Sequence, residues 1–402
     1  YARKTRTFYE NILKLPAGHT LLLAGGSLRL NQYWFAGNVH GRRSAGEGEL
    51  GDLFRQAVEC RLRSAFPVAA HLSGGIDSSA ITVQAARLLR PQGRQLTTFS
   101  WSPPPRDVAQ PTGEYGRIDA ICRQEGLSCE YLPVTSDSLL RVMDLNFTVE
   151  PVELMPREEN VQVRGEALGV RVILSGWGGD EAVTHWWQRN HAPGFREWVL
   201  RRLPDNLYTR VHRNPFLKYA STCVHPEFAA RYAGEIGNLQ GPPFRRLRDP
   251  RATMLRMLDL GYLQRRMEDW AVSGARRRIV YSYPLLDRRL LEFALGADPG
   301  TSPGRQLFIR SLADLLPCRI DWMADDEETA THAALEKEHI AAHAEWLARR
   351  RALPAAANPF VEPARIRHFI EAAQRDGSLR SLQGVKEAIG CYAMQPLATP
   401  PH

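Results

Sequence analysis

Phe66-Pro67-Val68-Ala69-Ala70 is a short apolar run that breaks at His71-Leu72-Ser73-Gly74-Gly75-Ile76-Asp77-Ser78-Ser79, after which Ala80 to Leu89 carry helical spacing. An apolar run without polar alternation is a strand buried on both faces, and burying both faces takes helices on either side of a parallel sheet. The same arrangement returns at Val172-Ile173-Leu174-Ser175-Gly176-Trp177-Gly178-Gly179-Asp180-Glu181-Ala182. Around these turns, periodicity predicts a helix over 52–64, strand 67–72, helix 78–90, strand 96–101, helix 115–126, strand 129–132, helices 137–147 and 158–168, and strand 170–174. Such alternation is the pattern of an α/β fold with a doubly wound parallel sheet.

Beyond residue 180 the strands are expected to stop. Helical segments at Leu255–Arg277, Asp287–Leu295, Arg305–Leu316 and Leu335–Arg351 then form a C-terminal half packed on the sheet. Ahead of the sheet, Thr20–Ala24 and Ser27–Leu30 flank Gly25-Gly26 as a short β-hairpin, too small to stand as a domain. Gly41–Gly51 reads as a linker. The expected division is therefore 1–45 and 46–402.

Composition excludes several classes. A chain of 402 residues at 44% hydrophobic is that of an ordinary globular protein. The formal charge of +8 is almost all arginine, because the lysines are only Lys4, Lys14, Lys218, Lys337 and Lys386. Clusters such as Arg245-Arg246-Arg248-Arg251, Arg276-Arg277-Arg278 and Arg349-Arg350-Arg351 suit either anion binding or solvated helix faces, and the second is the simpler reading of each. The cysteines (Cys60, Cys122, Cys129, Cys223, Cys318, Cys391) show no C-x-x-C pair, which argues against a zinc site and a disulfide framework and for a reduced, cytoplasmic setting. No apolar run approaches the ~20 residues that span a bilayer, so no membrane partner is expected.

The first turn has the chemistry of a phosphate loop. Gly74 and Gly75 let the backbone approach an anion, the helix start supplies N–H donors, and Ser73, Ser78 and Ser79 add hydroxyls. Asp77 would repel a phosphate unless a divalent cation lies between them. The alternative is an N-capping Asp and Ser with glycines in a tight turn. The acids Asp180 and Glu181 of the second turn carry the same alternatives.

The first turn resembles the S-G-G-x-D-S loop of the ATP pyrophosphatases, which split ATP into AMP and pyrophosphate. With the second turn, similar to S-G-x-G-[SG]-D-E, the chain is identified as a member of the asparagine synthetase superfamily over about Thr7 to Leu316. "YENILKLPAGHTLLL" with "NQYW" is similar to the last strands of a glutaminase domain, and "YPLLDRRLLEFAL" to the P-F-L-D segment. The resemblance implies an adenine-nucleotide α-hydrolase-like sheet and a hairpin left from a glutaminase-like domain. It places Leu72 and Trp101 near adenine, Ser175 and Gly176 on the nucleotide, and Ser73, Gly74, Gly75, Ser78 and Ser79 on the pyrophosphate. Asp77 and Asp180 hold Mg2+ on ATP. The implied reaction adenylates a carboxylate, which an amine converts to an amide.

Departures narrow the resemblance. Trp177 stands where asparagine synthetases carry glutamate, Val280-Tyr281-Ser282 replaces E-x-R, and Asp325 and Asp326 stand where a lysine is usual. "TTFSWSPPP", "LSGWGGDE" and "RRMEDWAVSGARRRIVYSYPLLDRRL" are more similar to lasso-peptide cyclases, which join a peptide's amino-terminal amine to an Asp or Glu side chain. On that resemblance the partners are a peptide substrate, a leader peptidase and a leader-binding protein. Trp101, Trp177, Trp186, Trp187, Trp270 and Tyr283 would suit a cavity for a folded peptide or equally an ordinary core, and Arg265, Arg266 and Glu268 share a helix face, with Glu268 a candidate base beside the plainer reading of a surface pair. An asparagine synthetase or other amidotransferase fragment, and a non-catalytic nucleotide- or peptide-binding homologue, stay open. A nucleic-acid partner fits worse, because the second motif belongs to the amide-forming branch.

Overall fold

The computed structural model describes residue 5, 11–39, 46–105, 113–144, 155–184, 199–200, 202–203, 225–227, 250–259, 261–297, 304–323, 337–342, 344–345 and 362–376. The chain divides into two compact units, one of residues 1–132, 161–202 and 243–327, the other of 133–160, 203–242 and 328–402.

The first unit holds the sheet. Its strands are β3 (Val68–His71), β4 (Leu96–Ser100), β5 (Cys129–Tyr131), β6 (Val172–Leu174) and β7 (Val280–Ser282), after a separate antiparallel pair β1 (His19–Ala24) and β2 (Ser27–Gln32). The five strands run parallel in the order β5-β4-β3-β6-β7. The chain winds outward from β3 through β4 to β5, then returns to the other side of β3 as β6. The crevice between the carboxyl ends of β3 and β6 is thus the point where the winding reverses, the usual place for ligands in open α/β sheets.

Alternation along the strands sends side chains into two cores. Val68, Ala70, Leu72 and Leu174 join the larger core with Phe54, Ile76, Ile81, Leu285 and Phe308. Ala69, Phe99, Ile173 and Tyr281 join the smaller one with Val161, Trp270 and Ile279. Both faces are covered, which is why β3 is buried at all of its positions.

Apart from the helix at 363–376, which the spacing did not indicate, the helices form where predicted, with shifted ends. Those of the first unit are α1 (Glu47–Arg61), α2 (Ile76–Leu89) and α3 (Gly113–Glu125). α4 (Ser136–Asp144) lies in the second unit, and α5 (Met155–Ala167) spans the division. α6 (Pro250–Asp259), α7 (Tyr262–Ala275), α8 (Arg288–Gly296) and α9 (Gly304–Ser311) return to the first unit, and α10 (Pro363–Asp376) belongs to the second. α1 buries Leu50, Phe54, Ala57 and Val58, a one-face spacing, and the Phe54 ring meets Phe308 of α9 edge-on at 5.3 Å between centroids.

Three expectations are corrected. The strands do not stop after residue 180: Val280-Tyr281-Ser282 pairs with β6 as β7, too short for its periodicity to show. The expected linker over 41–51 contains the start of α1 at Glu47, and its Gly51 is buried because a side chain there would come within 2.9 Å of the Ser311 carbonyl. The segment Leu255–Arg277 is two helices, broken before Gly261, whose φ of 72° is left-handed. The hairpin forms as expected, Gly25 and Gly26 taking φ of 56° and 73°. Most of the expected helix over 335–351 lies outside the described residues.

Asp287 ties α1 to α8. Its carboxylate accepts from the N–H of Arg289 at 3.0 Å as the helix cap, and from the guanidinium groups of Arg61 at 2.9 Å and Arg289 at 2.9 Å. Burial pushes this acid up, but the hydrogen bonds of Arg289 and Arg61 outweigh it and hold the carboxyl at about 2, below its ordinary 3.8.

Two outcomes are expected. Phe308→Ala removes a wholly buried ring and lowers stability by about 3–5 kcal/mol, read from the urea midpoint. Because the Asp287 carboxyl is depressed on folding, its contribution is complete above about pH 4 and is lost as the pH falls toward 2; discounted for partial exposure of the arginines, it is roughly 1–2 kcal/mol. Asp287→Asn should flatten the acid limb of a melting-temperature profile between those pH values and leave less stability at neutral pH.

Candidate active site

Both glycine turns leave neighbouring strands at the switch point, and they touch. After β3, the Leu72 N–H donates to the Phe99 carbonyl at 2.8 Å, with the leucine side chain wholly buried in the larger core. Gly74 takes a φ of 79°, and a side chain there would stand 2.6 Å from the Glu114 carbonyl, so the loop lies against the first turn of α3. Hydroxyls pin the turn: Ser73 N–H donates to Ser78 Oγ at 3.2 Å, the two serine Oγ atoms lie 3.0 Å apart, and Ser78 Oγ donates to the Gly75 carbonyl at 3.1 Å. Gly75 caps α2 without any side-chain hydrogen bond, so the first N–H groups of this 14-residue helix are not consumed by a cap. Ser79 is fully buried, and its Oγ has no hydrogen-bond partner.

After β6, the buried Ser175 donates its N–H to the Ser282 carbonyl of β7 at 2.9 Å. Gly176 packs on the start of α2, where a side chain would sit 3.2 Å from the Ser78 nitrogen and 3.3 Å from Asp77 Cβ. Gly179 lies directly against the Asp77 carboxylate, which would overlap any side chain at that position. Gly178, at φ 97°, lets the chain turn over Leu286. The 179–183 segment then makes one wide turn, Thr184 N–H donating to the Gly179 carbonyl at 2.9 Å, the π-type geometry often found at functional sites.

Asp77 is the electrostatic centre. Its Oδ2 accepts from Thr184 Oγ1 at 3.3 Å, while Oδ1 is buried without a hydrogen-bond partner. Burial, then the charge of Asp180, raises its carboxyl well above the usual range; Arg305 and Thr184 oppose the rise, and Glu181 adds to it. Glu181 is itself pushed up to about 7 by burial and by Asp180, while its Oε2 accepts the Gly178 N–H at 2.9 Å. Asp180 is exposed.

These residues fit a hard divalent cation brought with phosphates. An orphaned carboxylate oxygen that feels the charge of a second carboxylate is the kind of oxygen donor magnesium takes, its shell completed by phosphate and water. Among the described residues no group of three or more His, Cys, Asp or Glu side chains could hold a metal unaided.

On the opposite face of the same strand ends the aromatic residues gather. Trp101 lies 4.6 Å from His71, and Trp270 of α7 stands 5.9 Å from Trp177, 4.8 Å from Tyr281 and 6.4 Å from both Trp101 and Tyr283. The Arg266 guanidinium sits 5.5 Å over the Trp177 ring. Glu268, by contrast, forms an ion pair with Lys14 and accepts from Gln264 at 2.8 Å. Arg277 pairs with Glu166 at 2.9 Å between the exposed Arg276 and Arg278, a solvated helix end. Trp186, Trp187, Asp325, Asp326, the 245–248 and 349–351 arginines, Cys223 and Cys391 lie outside the described residues, as does the Arg265 side chain. Cys60, Cys122, Cys129 and Cys318 are free thiols. No described helix is long and apolar enough to cross a membrane.

Thr184 and Arg305 were not indicated by the sequence. Neither belongs to a motif; the fold brings Thr184 within hydrogen-bond distance of Asp77 and lets the charge of Arg305 act on it.

A doubly wound sheet with two glycine turns meeting at its switch point is the build of a nucleotide-binding enzyme. Residues 49–388 match the family "Asparagine synthase", and the chain belongs to that family. That family is one of ATP-dependent carbon–nitrogen ligases of the general amide-forming class. Over 98 residues the chain is also 33% identical to Amidase chry2 of Gibberella zeae, a match covering 22% of this chain. The chain spans 14% of the length of that curated relative.

Gly179→Ala should displace the Asp77 carboxylate and remove magnesium-dependent ATP binding, measured by calorimetry, while the circular dichroism of the chain stays that of the parent. Binding within twofold of the parent would show that the contact between the turns is not needed.

Proposed function

We propose that this chain adenylates an Asp or Glu side chain of a peptide and closes it onto the peptide's own amine, forming a macrolactam. The observation that carries this reading is the aromatic wall at the strand ends, with Trp177 inside the second turn. An indole can neither hold an ammonium by charge nor act as a base, so the position is unsuited to ammonia handling. It does suit an apolar substrate surface, together with the partly exposed Trp101 and Tyr283, which pack on the buried Trp270.

The residues divide the work as follows. Ser73, Gly74, Gly75, Ser78 and Ser79, with the open start of α2, bind the phosphates through N–H and hydroxyl donors. Asp77 and Asp180 hold magnesium, which when bound offsets the charge building on the departing pyrophosphate. Thr184 orients Asp77, and Glu181 holds the second turn through Gly178. Ser175 and Gly176 meet the nucleotide, with the Leu72 backbone and Trp101 on its adenine side. The substrate carboxylate attacks the α-phosphorus, the bond to the bridging oxygen breaks, and pyrophosphate leaves. The amine then attacks the acyl carbon and loses a proton, and AMP departs. Glu268, held by Lys14 and Gln264, would have to leave that ion pair to act as a base. A cytoplasmic setting, a leader peptidase and a leader-binding protein are the companions this reading calls for, and the 1–45 segment is read as the end of a glutaminase-like domain.

Pyrophosphate release is the test. Release that depends on a peptide bearing an internal Asp or Glu and a free amino terminus supports the proposal. Release with free aspartate instead points to asparagine formation, and none with any carboxylate to a binding protein. Asp77→Ala and Asp180→Ala are expected to abolish ATP cleavage while the urea midpoint shows an intact fold; turnover at the parent rate in either variant refutes the metal assignment.

A further inference from the structure

The glycine turns leave the carboxyl ends of the parallel strands, and the amino ends form the opposite rim of the sheet. Arginines collect there. Arg94 stands just before β4, Arg171 just before β6 and Arg278 just before β7, while Arg63 lies in the turn that leads into β3. In sheet order these entries are β4, β3, β6 and β7, so the row crosses adjacent strands and spans about 14 Å at the usual strand spacing.

Short contacts tie the row together. The Arg94 guanidinium donates to the carbonyls of Leu62 and Phe66, each at 3.3 Å. The Arg171 N–H donates to the Pro67 carbonyl at 3.2 Å, and the Val280 N–H to the Arg171 carbonyl at 2.8 Å. The Arg171 guanidinium lies 5.9 Å from the centre of the Phe66 ring. Phe66 and Val280 are themselves 56% and 64% exposed. Apolar side chains are thus set among arginines at the surface, a composition enriched at protein interfaces.

Two observations separate this rim from an ordinary solvated surface. Many arginines of the same unit have acids: Arg61 and Arg289 hold Asp287, Arg87 and Arg90 hold Glu125, Arg164 holds Glu130, and Arg277 takes Glu166. Arg63, Arg94, Arg171 and Arg278 form no ion pair among the described residues. The second observation is backbone strain. Arg278 has a left-handed φ of 57° directly after α7, where the Ile279 N–H closes onto the Gly274 carbonyl at 2.9 Å. That place at a helix end favours glycine, because a Cβ crowds the backbone there. The chain keeps an exposed arginine in it, and no hydrogen bond or ion pair of the guanidinium among the described residues offsets the cost.

We propose that the amino rim of the sheet is a docking surface for an acidic, extended segment of a partner protein. Carboxylates of that segment pair with Arg63, Arg94, Arg171 and Arg278, and its apolar side chains cover Phe66 and Val280. An extended chain of about five residues spans the row. A single-stranded nucleic acid fits less well, since Arg171 already sits over the Phe66 ring and the aliphatic Val280 offers no plane for a base. The rim is at the strand ends remote from the glycine turns, so occupancy here is independent of the chemistry there.

The test is fluorescence anisotropy of a labelled peptide of alternating glutamate and leucine, titrated with the full chain at low ionic strength, with melting temperatures measured alongside. The parent is expected to bind, more weakly as salt is raised, and not to bind the same peptide with lysine in place of glutamate. Arg63→Glu combined with Arg278→Glu should weaken binding at least about tenfold. Arg29→Glu, the same charge change on the exposed β2, should stay within about twofold of the parent. Arg278→Gly removes a charge and relieves the backbone, so binding should fall about threefold while the melting temperature is no lower than the parent's. Absence of binding by the parent overturns the proposal, as does an equal loss in Arg29→Glu, which marks net charge alone. A labelled oligouridylate bound more tightly than the peptide, and lost in the same double variant, overturns the protein partner in favour of nucleic acid. Should the double variant fail to fold, Arg278→Gly decides: weaker binding by a folded chain supports the surface, and parent-like binding overturns it.

Discussion

Everything at the candidate site depends on β3 and β6 being parallel neighbours. Val68, Ala69 and Ala70 face Val172, Ile173 and Leu174 across the ladder, so the turns that follow emerge side by side. The contact of Gly179 with the Asp77 carboxylate is the outcome. Two segments about a hundred residues apart in sequence become one surface because the winding of the sheet reverses between them. Neither turn could do this alone, since a single glycine turn before a helix is also what an ordinary cap looks like.

Much of this was legible in the sequence because strand burial and glycine turns are local signals. The apolar run before His71, the glycines at 74 and 75, and the matching run before Ser175 placed both turns at strand ends, and the sheet forms around them. What stayed hidden was non-local. β7 is a three-residue strand beside exposed arginines, and only its pairing with β6 defines it. Gly51 looked like a linker residue because a glycine needed for close packing on Ser311 and one needed for flexibility are the same letter. Thr184 reaches Asp77 through the turn geometry, and the charge of Arg305 acts on it through the α9 packing, which no spacing rule encodes. Glu268 shows the converse: the helix face was legible, but its salt bridge to Lys14 comes from a segment more than two hundred residues earlier.

The charge distribution follows the same division. Glu125, nearly buried at the end of α3, is held by Arg87 and Arg90, whose hydrogen bonds and charges lower its carboxyl despite burial. Asp287 is held likewise by Arg61 and Arg289. In those places each acid has its arginines and serves the fold. At the glycine turns the balance is withheld: Asp77 and Glu181 are both raised, and one carboxylate oxygen is left without a hydrogen bond. Acids kept short of partners are costly to bury, and the stability of the surrounding sheet is what permits it.

The period-two alternation of the strands has a consequence for how such a molecule can diverge. Along β3 and β6, one set of side chains supports the phosphate turns and the adjoining set supports the tryptophans, and the two sets share a backbone without sharing contacts. Substitutions that reshape the indole side therefore fall in a different layer from the core beneath the glycine turns, so repacking one layer need not be compensated in the other.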